Sequence, residues 1–268
     1  MFEIVALLLI GIAAGLLAGL LGIGGGLVIV PAVTALLVVQ GAGPDIAVPM
    51  AVATALGSML LTSAGSAWAH ARRGSVDWHA VARLGPSVAL GALGGAWLAT
   101  QISGLMLARI FALFTALIGL RMIFGERLGN KVSVSAARPA RTRLRFWGVA
   151  GPLIGALSAM IGIGGGSFNV PYLSWNGYST LRAVAIAAAC GWPIALAGSL
   201  GFLIEGWKQS LWPGAVGYWY LPGVIVIGIA GTASAPLGAK LAHRIGSAGL
   251  ARLFGIFLLF VATHMALQ

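Results

Sequence analysis

The stretch GIGGG occurs twice, at residues 22–26 and 162–166, and each time it interrupts an apolar run. Residues 4–39 drawn as one straight helix would measure roughly 54 Å at 1.5 Å per residue, nearly twice a hydrocarbon core of roughly 30 Å. Such a run has to break. Four glycines in five positions are the break, because glycine reaches φ > 0 freely and costs a helix interior about 1 kcal/mol against alanine. Each GIGGG therefore ends one half-helix and starts another, leaving backbone N–H groups without helical partners at membrane depth, where each costs several kcal/mol.

The charge content identifies the solvent. Only 8% of the 268 residues are charged and 59% are hydrophobic, with a mean hydropathy of +1.00, against about 25% charged in a soluble domain. Apolar stretches of about 20 residues recur along the whole chain, each long enough to cross a bilayer. The fold class is an all-α polytopic membrane protein with the lipid bilayer as its first partner. Before the first apolar run Glu3 is the sole charge, so residues 4–21 read as a retained membrane segment rather than a secretory signal. Cys190 is the only cysteine, which excludes intrachain disulfides and thiolate metal clusters. Metal-ligand spacing, paired buried carboxylates and a Ser/His/Asp arrangement are all missing. No cofactor, metal or enzymatic activity is expected.

The net charge of +11 does not point to nucleic acid, because the bases stand singly at helix ends or gather in residues 125–146. That is the signature of a cytoplasmic loop. It also divides the chain. GLLGIGGGLVIVPAV at 19–33 matches SAMIGIGGGSFNVPYL at 158–173, with Pro31 and Pro171 equally far from their glycines. AVPMAVATALGSM at 47–59 resembles AVAIAAACGWPIA at 183–195, LGALGG at 90–95 resembles IGIAGT at 227–232, and LARIFAL at 107–113 resembles LARLFGI at 250–256. Order and spacing persist to the end, as a tandem duplication requires. The expected organisation is a first transmembrane repeat at 1–124, a basic linker at 125–145 and a second repeat at 146–268. Segments are expected at 4–21, 27–39, 47–69, 80–100 and 104–124, then at 146–161, 167–175, 182–204, 216–238 and 248–267.

Whether the halves are parallel or inverted depends on the first pair of segments. One kinked crossing gives parallel repeats, whereas a hairpin that returns to its own side gives inverted ones. In the inverted arrangement every Lys and Arg except Arg109 and Lys208 falls on one face; the parallel arrangement moves Arg182, Lys240, Arg244 and Arg252 across. The positive-inside rule selects inversion, with the linker cytoplasmic and both termini periplasmic.

Inverted repeats with broken helices are a recurring transporter architecture, in which half-helix N-termini face anionic substrates. The expected binding groups are the backbone N–H groups of Gly24, Gly25, Gly26 and Leu27 and of Gly164, Gly165, Gly166 and Ser167. The Ser167 and Asn169 side chains add neutral donors. Close helix packing is the alternative use for such glycines. Glu3, Asp45, Asp77, Glu126 and Glu205 all fall at segment ends or in loops, as do His70, His79 and His243, while His264 lies in the last segment. With no mid-membrane carboxylate, coupling falls to the substrate's own proton, a histidine, or the membrane potential. Trp175, Trp212 and Trp219 read as interfacial, whereas Trp192 stands beside Cys190 and Pro193 at an apparent helix interruption and joins the candidate site.

The paired GxGGG-x-x-x-x-P motifs, the small-residue segments AVATALGSMLLTSAGS and AVAIAAACGWPIALAGS, the ARRGSVDW loop and the P-x-x-x-x-G-A-x-x-G of residues 86–95 resemble the sulfite exporter TauE/SafE family. The resemblance spans essentially the whole chain. It implies a bacterial inner-membrane permease or exporter for small sulfur-containing or related organic anions such as sulfite, sulfonates or sulfoacetate. A passive anion channel or a membrane subunit of a larger complex is the alternative. Family members often carry a hydroxyl pair after the small-residue run; this chain has Thr54 in one half and Cys190 in the other, and both join the candidate site.

Overall fold

The computed structural model describes residues 2–21, 25–124, 146–207, 212–245 and 247–267. Gly24 and the linker at 125–145 lie outside the described residues. The described chain forms ten helices: α1 (Phe2–Leu21), α2 (Gly26–Val39), α3 (Pro44–Arg72), α4 (Trp78–Gln101), α5 (Gly104–Phe124), α6 (Trp147–Ile161), α7 (Gly166–Trp175), α8 (Thr180–Gly206), α9 (Leu221–Ile245) and α10 (Ser247–Ala266). All ten expected segments are present, and five of these helices are long and apolar enough to cross a membrane.

Two expectations shift. The ninth segment begins later than residue 216, because β1 (Ala215–Val216) and β2 (Trp219–Tyr220) form a short antiparallel hairpin first. Gly214 and Gly217 take φ of +76° and +58°, and glycine at the first of two loop positions is what a type II′ hairpin turn requires. The same helix ends seven residues beyond position 238, since nothing in GAKLAHRI breaks it, so His243 is helical rather than in a loop. At Pro193, where an interruption was expected, α8 runs unbroken from Thr180 to Gly206.

Helices α3 and α8 form the centre. In their most apolar windows 72% and 67% of residues are buried, against 22% for α1 and 33% for α5, whose apolar surfaces are left for lipid. Every residue of α3 from Ala47 to Met59 is buried. Alanine, glycine and serine predominate there, and small residues let neighbouring backbones approach on all sides.

The two halves interlock. Helix α1 packs on α9, and α6 packs on α4. Both contacts use glycine pairs four apart: Gly11 and Gly15 meet Ile227, Ala230 and Gly231, while Gly151 and Gly155 meet Ser87 and Val88. The Ser234 hydroxyl donates to the Ile12 carbonyl at 3.2 Å, adding an interhelical hydrogen bond. Contact positions rise together along each pair, so α1 runs parallel to α9 and α4 parallel to α6. Elsewhere they run oppositely. Leu56 meets Gly198 and Ser63 meets Gly191, making α3 and α8 antiparallel; Gly119 meets Gly255 while Ile123 and Met122 also reach Gly255, where α5 crosses α10. The loops pair by end as well: the Gly104 N–H donates to Asp45 Oδ1 at 2.7 Å, and the Tyr178 hydroxyl donates to Asp77 Oδ2 at 3.3 Å.

Candidate functional site at the glycine tips

Helix α6 ends on Gly162 in the left-handed region, φ +68°. The Gly162 N–H donates to Ala159 O at 3.3 Å and the Ile163 N–H to Ser158 O at 3.0 Å. This is a Schellman ending, which satisfies the last carbonyls and reverses the chain. Only Ile163, Gly164 and Gly165 separate it from Gly166, where α7 begins.

The two glycine tips touch. A Cβ placed on Gly26 would collide with the Gly162 carbonyl and lie 3.2 Å from Ile163 Cα. Glycine is required there by proximity, since backbone cannot move aside as a side chain can. On the first tip, Gly25 lies against Ala14 of α1, a residue a continuous helix would carry roughly 16 Å away. The chain therefore doubles back between α1 and α2.

At the second tip, the Asn169 N–H is bonded to Gly165 O at 2.8 Å. The N–H groups before it have no acceptor within the helix, and no side chain caps α7. The polar residues of α7 gather at this start. Asn169 is fully buried, and neither its Oδ1 nor its Nδ2 has a hydrogen-bond partner among the described residues; the buried Ser167 Oγ is in the same condition. The Asn169 amide lies against Gly165, where a Cβ would meet Nδ2. Side-chain and main-chain donors therefore converge at the positive end of a helix dipole. Each unsatisfied buried group costs about 1–3 kcal/mol. A packing motif would fill such a place with methyl groups.

The surroundings are apolar. Ile194 Cδ1 and the Ala187 carbonyl of α8 approach Gly165, and Met59 Cε of α3 covers Gly164. Cys190 is buried on the same face of α8, three residues after Ala187 and four before Ile194. Phe168 packs edge-to-face on Phe114 of α5, with centroids 5.7 Å apart. The duplication is asymmetric in chemistry: Leu27 and Ile29 stand where the second repeat has Ser167 and Asn169, and both are buried apolar residues.

Two other expected residues lie apart. Thr54 is on the face of α3 opposite Val52, Leu56 and Met59, and its Oγ1 accepts the Tyr220 N–H at 3.1 Å. It anchors the β-hairpin. Trp192 is 42% exposed on the outer side of α8. Sequence reasoning missed Met59, Ala187 and Ile194 as neighbours of the tip, because nothing in a run of small apolar residues marks one face as adjoining a site 100 residues away. Among the described residues, no three His, Cys, Asp or Glu side chains converge as metal ligands.

A family model for sulfite exporter TauE/SafE matches residues 7–265. The chain belongs to the TauE/SafE family. A probable membrane transporter protein of Haemophilus influenzae is 33% identical over 270 residues and covers the full length of both chains. A second, from Methanocaldococcus jannaschii, is 27% identical over 89% of this chain and 86% of its own. A third, from Xylella fastidiosa, is 29% identical over 96% and 91%. No solved structure matches. This TauE/SafE chain is thus a multi-pass membrane transporter, in a family and among relatives named as transporters rather than enzymes.

Proposed function

We propose that the protein is a secondary transporter, an exporter or permease of the bacterial inner membrane, for small sulfur-containing or related organic anions such as sulfite, sulfonates and sulfoacetate. The substrate binds at the start of α7, between the second glycine tip and Gly26 of the first. The observation that carries this reading is Asn169: a fully buried amide, unpartnered at both ends, beside an uncapped helix start and an unpartnered serine hydroxyl. An oxyanion accepts from all of these donors at once, through charge-assisted hydrogen bonds of about 1.5–3 kcal/mol each.

The helix directions support inverted repeats. Parallel repeats would run α3 with α8 and α5 with α10, whereas both pairs are antiparallel by their contacts. Inversion brings the 73–77 and 176–179 loops to one face, in keeping with the Tyr178–Asp77 hydrogen bond. With the bases concentrated there, that face and the 125–145 linker are cytoplasmic and both termini periplasmic. The acidic residues sit at helix ends, so the negative charge of the substrate is either carried by the membrane potential or cancelled by the substrate's own proton.

The test is flux into proteoliposomes. Sulfite, sulfoacetate or a related anion should saturate the rate, and Ser167→Ala should weaken binding roughly tenfold, the equivalent of about 1.4 kcal/mol. Rates linear in anion concentration would mean a channel. No flux without added proteins would mean a subunit.

A further inference from the structure

Helices α5 and α10 touch at Gly119 and Gly255, where a Cβ on either glycine would meet the other's carbonyl within 3.0 Å. Toward the opposite end of the pair they diverge. The gap is a groove of about 530 Å³ whose walls include Arg109, Ala112 and Ala116 of α5 and Ala262, Thr263 and Ala266 of α10. Four alanines in the positions that would close the gap explain why it persists.

Arg109 is exposed at the mouth of this groove, and its guanidinium makes no ion pair or hydrogen bond among the described residues. It lies five residues inside the α5 start at Gly104, or roughly 7.5 Å from that end of a helix about as long as the hydrocarbon core is thick. An arginine at this depth reaches the headgroup level by extending along the helix. From there the groove continues inward for two turns, from position 109 to 116, with apolar walls.

We propose that the α5–α10 groove is a site for an anionic phospholipid, with the phosphodiester on Arg109 and the upper part of an acyl chain between the alanines. The guanidinium presents a planar fork of donors that matches phosphate oxygens. A second copy of the chain fits this face poorly. A two-fold contact sets the same patch against itself, bringing two Arg109 side chains together in a low-dielectric layer. The site is separate from the glycine tips and stands whether or not they bind substrate.

The test uses the full chain, delipidated in detergent and titrated with mixed micelles of phosphatidylglycerol or phosphatidylcholine, with bound lipid counted by native mass spectrometry. Phosphatidylglycerol should bind in preference, and Arg109→Gln should weaken it about fivefold, the loss expected for one basic residue at an anionic membrane surface. Ala116→Phe fills the groove and should remove the same bound lipid while the protein still elutes as a single species. Glycerol 3-phosphate supplies the headgroup without chains and should not compete. Unchanged phosphatidylglycerol affinity in Arg109→Gln overturns the proposal. Competition by glycerol 3-phosphate replaces the lipid with a soluble anion, and a dimer that Ala116→Phe dissociates replaces it with a second copy.

Discussion

Replacing Asn169 with leucine, close to it in shape, should stabilise the protein and disable it. In the anion-free state the wild-type side chain holds a carbonyl and an amide, both buried and unpartnered. Leucine removes both groups and keeps the contacts with Gly165 and its neighbours. Relief of an unsatisfied buried polar group is worth about 1–3 kcal/mol. For a chain of this size, each kcal/mol moves the melting temperature by about 2–4 °C, so the expected rise is about 2–12 °C. The assay is thermal denaturation in detergent, with and without saturating sulfite or sulfoacetate. Wild type should gain stability from the anion. Asn169→Leu should start higher and gain little. A lower starting melting temperature together with an undiminished anion response would refute the reasoning, because Asn169 would then be holding the fold together and the substrate would be bound elsewhere. The direction matters more than the size: binding residues are retained at a cost in stability, whereas packing residues are not.

Further predictions concern the tips, the hairpin and the topology. Gly165→Ala pushes on the end of the Asn169 amide, so it should remove the anion response while leaving an inserted, monodisperse protein. Gly26→Ala pushes on the Gly162 backbone, so it should lower yield and melting temperature as well. Thr54→Val keeps the side-chain shape but leaves the buried Tyr220 N–H without its acceptor, at about 1–3 kcal/mol; Thr54→Ser should be much milder, and thermal denaturation separates the two. In a Cys190→Ser background, single cysteines at Ser75 and Ser179 should label from one face of the membrane and those at Gly43 and Ser103 from the other. Labelling of Ser75 and Ser179 from opposite faces would end the inverted arrangement.

Much of this architecture was legible in the sequence because bilayer thickness sets helix length. An apolar run with a glycine cluster in its middle has few ways to lie in a membrane, and both clusters mark the helix breaks seen at Gly25–Gly26 and Gly162–Gly166. The hairpin at residues 215–220 was not read, although PGAVG contains two glycines suited to positive φ. Strand pairs this short have no periodicity of their own, and the apolar sequence beyond them masks the boundary. Within the site, Ser167 and Asn169 could be read because they are polar residues in an apolar setting. Thr54 looked equivalent by that criterion, but its hydroxyl is engaged by a main-chain N–H from position 220. Trp192 looked special because of Pro193. A proline inside a helix forfeits one hydrogen bond and need not break it where neighbouring helices hold it in place, and α8 accommodates Pro193 in this way.

The cross-packing of α1 on α9 and of α4 on α6 has a consequence for biogenesis. The glycine face of α1 has no partner until α9 has been made, and α9 ends at Ile245. At synthesis rates of 5–20 residues per second, the wait from the end of α1 at Leu21 is about 11–45 s. Throughout it the nascent chain carries, in the bilayer, a helix surface shaped for close contact and filled only by lipid or by another protein. A first half expressed alone stays in that condition, with α1 and α4 both unpartnered. Supplied separately, the second half brings both missing helices, so two fragments cut in the 125–145 linker should assemble only when made in the same membrane at the same time.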